Sequence, residues 1–188
     1  MTIAETIKLT AEQYLQLGED PPGVRLELVD GEIRVSPSPT AAHAWAVSQL
    51  LVILATYAKS NRLGIAMSDT DHIVTEYTVR RPDLYFFSRA RVKLLDGGVI
   101  RHSPDLAVEV ISPGSERTDR KKKFEEYRAF AIPHYWILDP KKRTIEAFEL
   151  RRKKYVAVGK GRGVETVSLP PFEGLEIELG ELWWPPRQ

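Results

Sequence analysis

The chain has 188 residues, of which 43% are hydrophobic and 28% are charged, and its formal net charge is +1. This composition is typical of a globular protein, and we expect residues 1–188 to form a single domain. The near-neutral charge excludes a global attraction to nucleic acid or anionic membranes, so such a partner would need a local basic patch. The absence of cysteine excludes disulfides and thiolate metal sites and is compatible with a reducing cytosol.

The N-terminal part predicts a short helix over residues 10–17, beginning at Thr10, and then a β-hairpin. The hairpin is "VRLELVDGEIRVSP", in which two alternating runs flank Asp30-Gly31, a strong two-residue turn signal. The first twenty residues lack the basic and apolar segments of a secretory signal. Thr40 is then a suitable cap for an alanine-rich helix.

The uncharged run "AAHAWAVSQLLVILATYA", residues 41–58, is about long enough to cross a membrane, for which roughly 18 to 20 residues are needed. It contains several polar residues, and its six alanines dilute the hydrophobicity. Four larger apolar residues fall on one helical face, with i, i+3, i+4, i+7 spacing; they are Val47, Leu50, Leu51 and Leu54. We therefore interpret this run as a buried core helix and expect no membrane partner.

The remaining elements alternate between strands and one further helix. They are one or two strands over residues 63–78, strands at 80–88 ("RRPDLYFFS") and 104–112 ("PDLAVEVIS"), a helix at 116–131, the strand "HYWILD" and four C-terminal β segments. The segment 89–103 is a connection with room for a short helix. This order predicts an α/β fold built on a mixed sheet.

Glu109 stands in the middle of an otherwise apolar predicted strand, where an unpaired charge costs several kcal/mol. Because side chains alternate, Glu109 shares a face with Asp105 but lies ~13 Å from it. Asp83 is a better partner, because adjacent strands lie ~4.8 Å apart and a suitable register would bring both carboxylates together. A cation would offset their repulsion, and oxygen ligands indicate Mg²⁺ or Mn²⁺. The alternative is an ion-paired or solvent-facing acid.

The helix at 116–131 carries four consecutive basic residues, "RKKK". At ~100° per residue, Lys123 and Arg120 fall at the edge of the apolar stripe and are expected to face the sheet. Asp119 lies four residues before Lys123 and can pair with it. A lysine near two metal-binding carboxylates can position water or neutralise charge on a phosphate. The alternative is a solvated basic face.

"RRPDLYFFS" and "PDLAVEVISPGSERTDRKKKFEEYRAFAIPHYWILDP" resemble the Uma-two family of restriction-endonuclease-like nucleases, within the PD-(D/E)XK superfamily. "RLELVDGEIRVSPSPTAAH" is also similar to the family's opening hairpin, and the resemblance covers about residues 8 to 160. It implies a restriction-endonuclease-like core of α-β-β-β-α-β order, with an N-terminal hairpin and additional C-terminal strands. It also implies hydrolysis of phosphodiester bonds that depends on a divalent metal.

Carried over by position, the resemblance implies that Asp83 and Glu109 are catalytic and bind the metal. The superfamily's lysine normally follows the second acid by two positions, where this chain has Ile111. In this family the lysine lies in the following helix and matches Lys123, which would be the third catalytic residue. Glu27 and His43 match further family positions and would support the site, as Asp119 and Arg120 would from the helix.

These patterns predict a Mg²⁺- or Mn²⁺-dependent endonuclease that acts on DNA rather than RNA and is located in the cytoplasm. A nuclease that cuts both strands with one site per chain usually works as a two-fold dimer, so we expect a homo-oligomer. Two alternatives stay open. One is a nucleic-acid-binding protein of the same fold without turnover, and the other is a structural or assembly protein whose acids form ion pairs.

Overall fold

The computed structural model describes residues 8–185, so residues 1–7 and 186–188, the two ends of the expected domain, lie outside the described residues. Within 8–185, the helices are α1 (Ala11–Leu15), α2 (Ala41–Ser60), α3 (Arg89–Val92) and α4 (Phe124–Ala129), with a π-helical turn (Thr118–Lys123) before α4 and a 3₁₀ turn (Leu179–Leu182) near the end. The strands are β1 (Val24–Val29), β2 (Glu32–Pro37), β3 (Gly64–Met67), β4 (His72–Thr75), β5 (Thr78–Arg80), β6 (Leu84–Ser88), β7 (Leu106–Val110), β8 (His134–Asp139), β9 (Thr144–Arg151), β10 (Lys154–Arg162), β11 (Thr166–Val167) and β12 (Ile177–Glu178).

The central layer is a six-stranded sheet in the order β10-β9-β8-β7-β6-β3. It is mixed, because β7 and β8 run parallel while their neighbours pair antiparallel. A second sheet, in the order β2-β1-β5-β4, contains the N-terminal hairpin, and β11 pairs with β12. The sequence α2, β3, β6, β7, α4, β8 reproduces the predicted α-β-β-β-α-β core, and the predicted α/β class is confirmed.

Helix α2 covers one face of the six-stranded sheet. Thr40 caps it by accepting a hydrogen bond from the His43 backbone N–H. From Ala46 the buried side chains recur every four residues, through the predicted Leu50 and Leu54, and the other two predicted residues, Val47 and Leu51, are partly buried against the same core. In length and composition α2 could cross a membrane. However, these residues belong to the apolar core that also contains the sheet residues Leu106 and Val108, as expected of a core helix.

The extent of one predicted strand was wrong, and one predicted helix contains a turn that was not foreseen. The expected strand 80–88 is split: β5 ends at Arg80 in the four-stranded sheet, and β6 begins at Leu84 in the six-stranded one. Pro82, which has no backbone N–H to donate to a ladder, lies in the link between them. The expected helix 116–131 contains the π-turn, which closes with i→i+5 hydrogen bonds and therefore changes which side chains share a face.

Candidate active site

A cavity of about 330 Å³ opens where β7 ends, between the two sheets and the N-terminus of α2. Four carboxylates line it, together with several basic side chains. The acids are Glu27, Asp83, Glu109 and Asp119. Six of the seven residues singled out from the sequence therefore meet at one place, Lys123 and His43 among them. Arg120 does not line the cavity.

Glu109 is 2% exposed, and two side chains from the following helix bind its carboxylate. The Lys123 ammonium donates to Oε2 at 2.8 Å, and the Tyr127 hydroxyl donates to Oε1 at 2.7 Å. Burial nevertheless raises the pKa of Glu109 to about 8, with further contributions from the nearby acids, although Lys123 opposes this shift. Glu109 tolerates its strand because a lysine and a tyrosine satisfy both of its oxygens.

Asp83 lies directly before β6 and is held by groups from three other elements. Its Oδ2 accepts the Val110 backbone N–H at 2.8 Å and lies 3.2 Å from the Nε2 atom of His43. Its Oδ1 lies 3.3 Å from the Arg25 guanidinium of β1. Burial opposes ionisation, but His43, Lys123 and Arg25 together lower the pKa of Asp83. The register Leu84↔Val108, continued by one residue, sets Asp83 opposite Glu109.

Glu27 approaches the cavity from β1 and belongs to a buried ion cluster. Its carboxylate accepts the Arg81 backbone N–H and the Arg80 guanidinium, both at 3.0 Å. Arg80, which is 2% exposed, also makes a bidentate pair with Glu126 of α4 at 2.7 and 2.8 Å. Lys123 lies 3.7 Å from Glu27, so one lysine links the hairpin acid to Glu109.

The π-turn decides which helical residues reach the cavity. Asp119 lies 3.6 Å from Lys123 and accepts the Ser115 hydroxyl at 2.6 Å. Arg120 was expected to face the sheet, but its guanidinium pairs with Glu116 and Glu146 instead. Because a π-turn has more residues per turn than an α-helix, positions four to five apart share a face. Asp119 therefore lies beside Lys123, and Arg120, three positions before it, points elsewhere.

The donor chemistry of the cavity fits a hard divalent cation. Carboxylate oxygens are the ligands that Mg²⁺ and Mn²⁺ prefer, and four of them line this cavity. These four acids outnumber the lysine and two arginines that bind them, Lys123, Arg25 and Arg80, since Arg81 is paired with Asp20 and Asp71. Among residues 8–185, no three acidic or histidine side chains are already gathered at metal-holding distances. The residues thus fit the ion in type and charge, while Lys123 is shared by three of the acids and Arg25 binds the fourth, Asp83.

The family model of Uma2, described as "Putative restriction endonuclease", matches residues 11–180. The chain belongs to the Uma2 family. The resemblance drawn from the sequence motifs is therefore confirmed, and with it membership of a restriction-endonuclease-like nuclease family.

A solved structure supports the fold of this Uma2 chain. It is the crystal structure of a putative nuclease belonging to DUF820 from Anabaena variabilis ATCC 29413, which is 20% identical in sequence. The match has a TM-score of 0.75 and covers 93% of this chain and 97% of that one. No curated protein matches the chain.

Two residues that bind the acids of the Uma2 cavity were not identified from the sequence: Arg25, which binds Asp83, and Tyr127, which binds Glu109. Arg25 alternates with Glu27 along β1, so two charged residues share the inner face of that strand; this alternation was a usable signal. Tyr127 was interpreted as part of an apolar stripe, although a buried tyrosine hydroxyl usually finds a hydrogen-bond partner. Ile111, at the superfamily's lysine position, lines a neighbouring cavity instead, and Lys123 reaches Glu109 from the helix.

Proposed function

We propose that this Uma2 protein is a metal-dependent endonuclease that hydrolyses phosphodiester bonds in DNA. The observation that carries the proposal is the convergence of Asp83, Glu109 and a buried Lys123 on one cavity in a chain of a nuclease family. Asp83 and Glu109 would hold Mg²⁺ or Mn²⁺. The chemistry that such an ion supplies when bound is activation of water and neutralisation of phosphate charge.

The side chains of the cavity have separate roles in this hydrolysis, in which water adds to phosphorus and the bond to the leaving oxygen breaks. Lys123, an ammonium held by three acids, would stabilise the negative charge that develops on the phosphate oxygens. Arg25 would do the same from β1, on the opposite side of Asp83. Burial opposes the charge of Lys123, but Glu109, Glu27 and Asp119 raise the pKa of its ammonium group and keep it charged. His43 would orient Asp83.

The first test compares two acids that follow a proline. Asp83→Asn should lower Mn²⁺-dependent cleavage of plasmid DNA at least about 10³-fold, because it removes a proposed ligand. Asp105→Asn is the matched control: it belongs to the second Pro-Asp pair, but its carboxylate binds Arg91 and the Ser88 N–H away from the cavity. It should leave cleavage per folded molecule unchanged. Equal cleavage by wild type and Asp83→Asn would refute the metal role of Asp83.

A second candidate is a structural role for the acids, which is favoured by the close pairing of Glu109 with Lys123 and Tyr127. On that reading, Glu109→Gln lowers the melting temperature strongly and Mn²⁺ does not bind. Calorimetric titration with Mn²⁺, together with anomalous density in a Mn²⁺-grown crystal, separates the two. Density between Asp83 and Glu109 would favour the nuclease.

The proposal extends to assembly and location. One site per chain cuts one strand at a time, so we expect two copies to act together as a two-fold dimer in the cytoplasm. Sedimentation velocity with and without duplex DNA tests the dimer. A monomer in both conditions would contradict it.

A further inference from the structure

Two further cavities adjoin the proposed active site, and their charges differ. One, of about 340 Å³, shares Asp83, His43 and two arginines with the site and adds two acids, Asp20 and Asp69, that pair with those arginines. The other, of about 550 Å³, shares Thr40 and His43 with the site and adds two lysines, two acids (Glu116 and Asp139) and a tryptophan. The second cavity, whose walls include Lys141, Lys142 and Trp184, is called the lysine groove. In the first cavity the two arginines are paired with the acids, whereas in the second both acids pair with Lys142 and leave Lys141 without a salt bridge among the described residues, so that Lys141 can meet a polyanion.

The lysine groove has an exposed aromatic wall. Trp184 is 47% exposed, although it is a large hydrophobic residue close to a charged site. Its ring meets Trp45 of α2 edge-on, with a centroid distance of 5.8 Å and an interplanar angle of 64°. The Trp45 indole N–H is itself bound to the Glu181 carbonyl at 3.0 Å. Trp184 is thus oriented by a neighbour that is already fixed, while much of its surface stays open to solvent.

The basic residues of the groove lie in the turn between β8 and β9, at the same end of the sheet as the active site. Lys142 pairs with Glu116 and Asp139. Among the residues that the structure describes, Lys141 and its neighbour Arg143 are exposed and make no salt bridge. The groove also contains the first turn of α2, which has no acidic side chain. Unpaired cations and a helix N-terminus both suit phosphate oxygens.

We propose that the lysine groove binds an unpaired segment of the substrate strand next to the scissile phosphate, with one base stacked on Trp184 and its phosphates on Lys141 and Lys142. A base within a duplex is stacked on its neighbours and cannot use Trp184, whereas an unpaired base can. The inference rests on the proposed nuclease function and specifies its substrate as DNA that is single-stranded or opened beside the cut.

The test measures binding without metal, so that it does not depend on cleavage. A fluorescent oligothymidylate and a duplex of equal length are titrated by anisotropy in EDTA, at several salt concentrations. Wild type should prefer the single strand. Trp184→Ala should weaken oligothymidylate binding about 5- to 100-fold, and Trp184→Phe should restore most of it, because stacking needs an aromatic face. Circular dichroism checks that both variants are folded.

The lysines are tested by the salt dependence of the same binding, which does not rely on Trp184 variants. Lys141→Gln with Lys142→Gln should reduce the slope of log affinity against log salt by about 1.4, since each of the two phosphate contacts contributes about 0.7 for a single strand. Lys153→Gln with Lys154→Gln is the matched control. These two lysines are exposed in the β9–β10 turn, at the other end of the sheet, and the change should leave the slope unaltered.

The outcomes separate this inference from the nuclease proposal. Binding that depends on Trp184, without any cleavage in Mn²⁺, would support the groove and refute the nuclease. Mn²⁺-dependent cleavage together with equal oligothymidylate affinity in wild type and Trp184→Ala would support the nuclease and overturn the groove. Duplex affinity equal to single-strand affinity would also overturn it.

Discussion

The two faces of β7 are built from one pentapeptide, "LAVEV", and they differ in what they contribute. On one face Leu106, Val108 and Val110 belong to the apolar core beneath α2. On the other face Ala107 and Glu109 meet the helix that carries Lys123 and Tyr127. Burial does not distinguish them, because Val110 and Glu109 are each 2% exposed.

What distinguishes the faces is the chemistry of the partners. The α2 face excludes water with apolar side chains only, so its contribution is stability. The Glu109 face buries charge, which is costly unless every group is paired, and here the pairing surrounds an open cavity. Stability and the proposed chemistry are therefore divided between alternate residues of one strand, and substitutions on the two faces should have different effects.

The largest expected effect is a loss of cleavage caused by a substitution on the Glu109 face. Glu109→Gln keeps the shape of the side chain but removes the carboxylate that would bind the metal, so we expect Mn²⁺-dependent cleavage to fall at least about 10³-fold. Thermal melting without metal should change much less, because Glu27 and Asp119 still lie within 4 Å of Lys123. Cleavage assays and melting curves on the same samples check this. A variant that unfolds but keeps its activity per folded molecule would reverse the assignment of this face.

The matching substitution on the other face is Leu106→Ala. Leu106 is fully buried, and a cavity at such a site typically costs about 2–5 kcal/mol in unfolding free energy. Cleavage per folded molecule should stay at the wild-type level, because Leu106 does not line the cavity. Urea denaturation followed by cleavage assays at low temperature provides the measurement. A loss of activity beyond the unfolded fraction would show that the faces are not independent.

A smaller effect, on the pH dependence of the unfolding free energy, is expected for His72. This residue is buried against Tyr85, which lies on the Glu109 side of the sheet. Neither ring nitrogen has a hydrogen-bond partner among the described residues, and the ring lies between Tyr85 and Phe130. Burial lowers the pKa of His72 to about 3, from 6.5. The unfolded chain therefore binds the proton first as the pH falls. The stabilisation by neutral His72 is complete above about pH 6.5 and is lost toward pH 3.

Because of this linkage, the unfolding free energy falls by about 1.4 kcal/mol per pH unit, or by about 2 kcal/mol between pH 6.5 and 5. His72→Leu removes the titrating group and should flatten this part of the stability profile relative to wild type. Other acids add their own slopes, so the difference between the two proteins is the quantity to measure by urea denaturation. If the plots of unfolding free energy against pH run parallel in the two proteins, His72 takes up its proton in the folded protein as readily as in the unfolded chain.

The smallest effect on stability and on cleavage is expected for Arg120→Ala. Arg120 pairs with the partly exposed acids Glu116 and Glu146 away from the cavity, and such pairs contribute about 0–1 kcal/mol. Cleavage should remain unchanged, in contrast to Lys123→Met, three positions later on the same turn. A loss of activity in Arg120→Ala comparable to that of Lys123→Met would indicate an α-helical turn in place of the π-turn.

The sequence by itself determined those features that depend on local geometry. The hairpin turn at Asp30-Gly31 is confirmed, and both residues have the positive φ, 54° and 83°, that a tight hairpin requires. The Thr40 cap, the core helix and the alternation that separates Glu109 from Val110 follow in the same way from residue type and period. The acids and Lys123 were identified from motif spacing, and their catalytic roles stay predictions.

Only the tertiary structure decided which distant residues meet. Arg25 and Asp83 are 58 positions apart, and no local period relates them. Tyr127 could be core or ligand until the β6–β7 register and the helix position were known. The π-turn moved Arg120 away, because one change in turn geometry rotates every residue before it. The lysine groove likewise requires the β8–β9 turn, α2 and Trp184 to meet, and such contacts between distant segments depend on the packing of the whole chain.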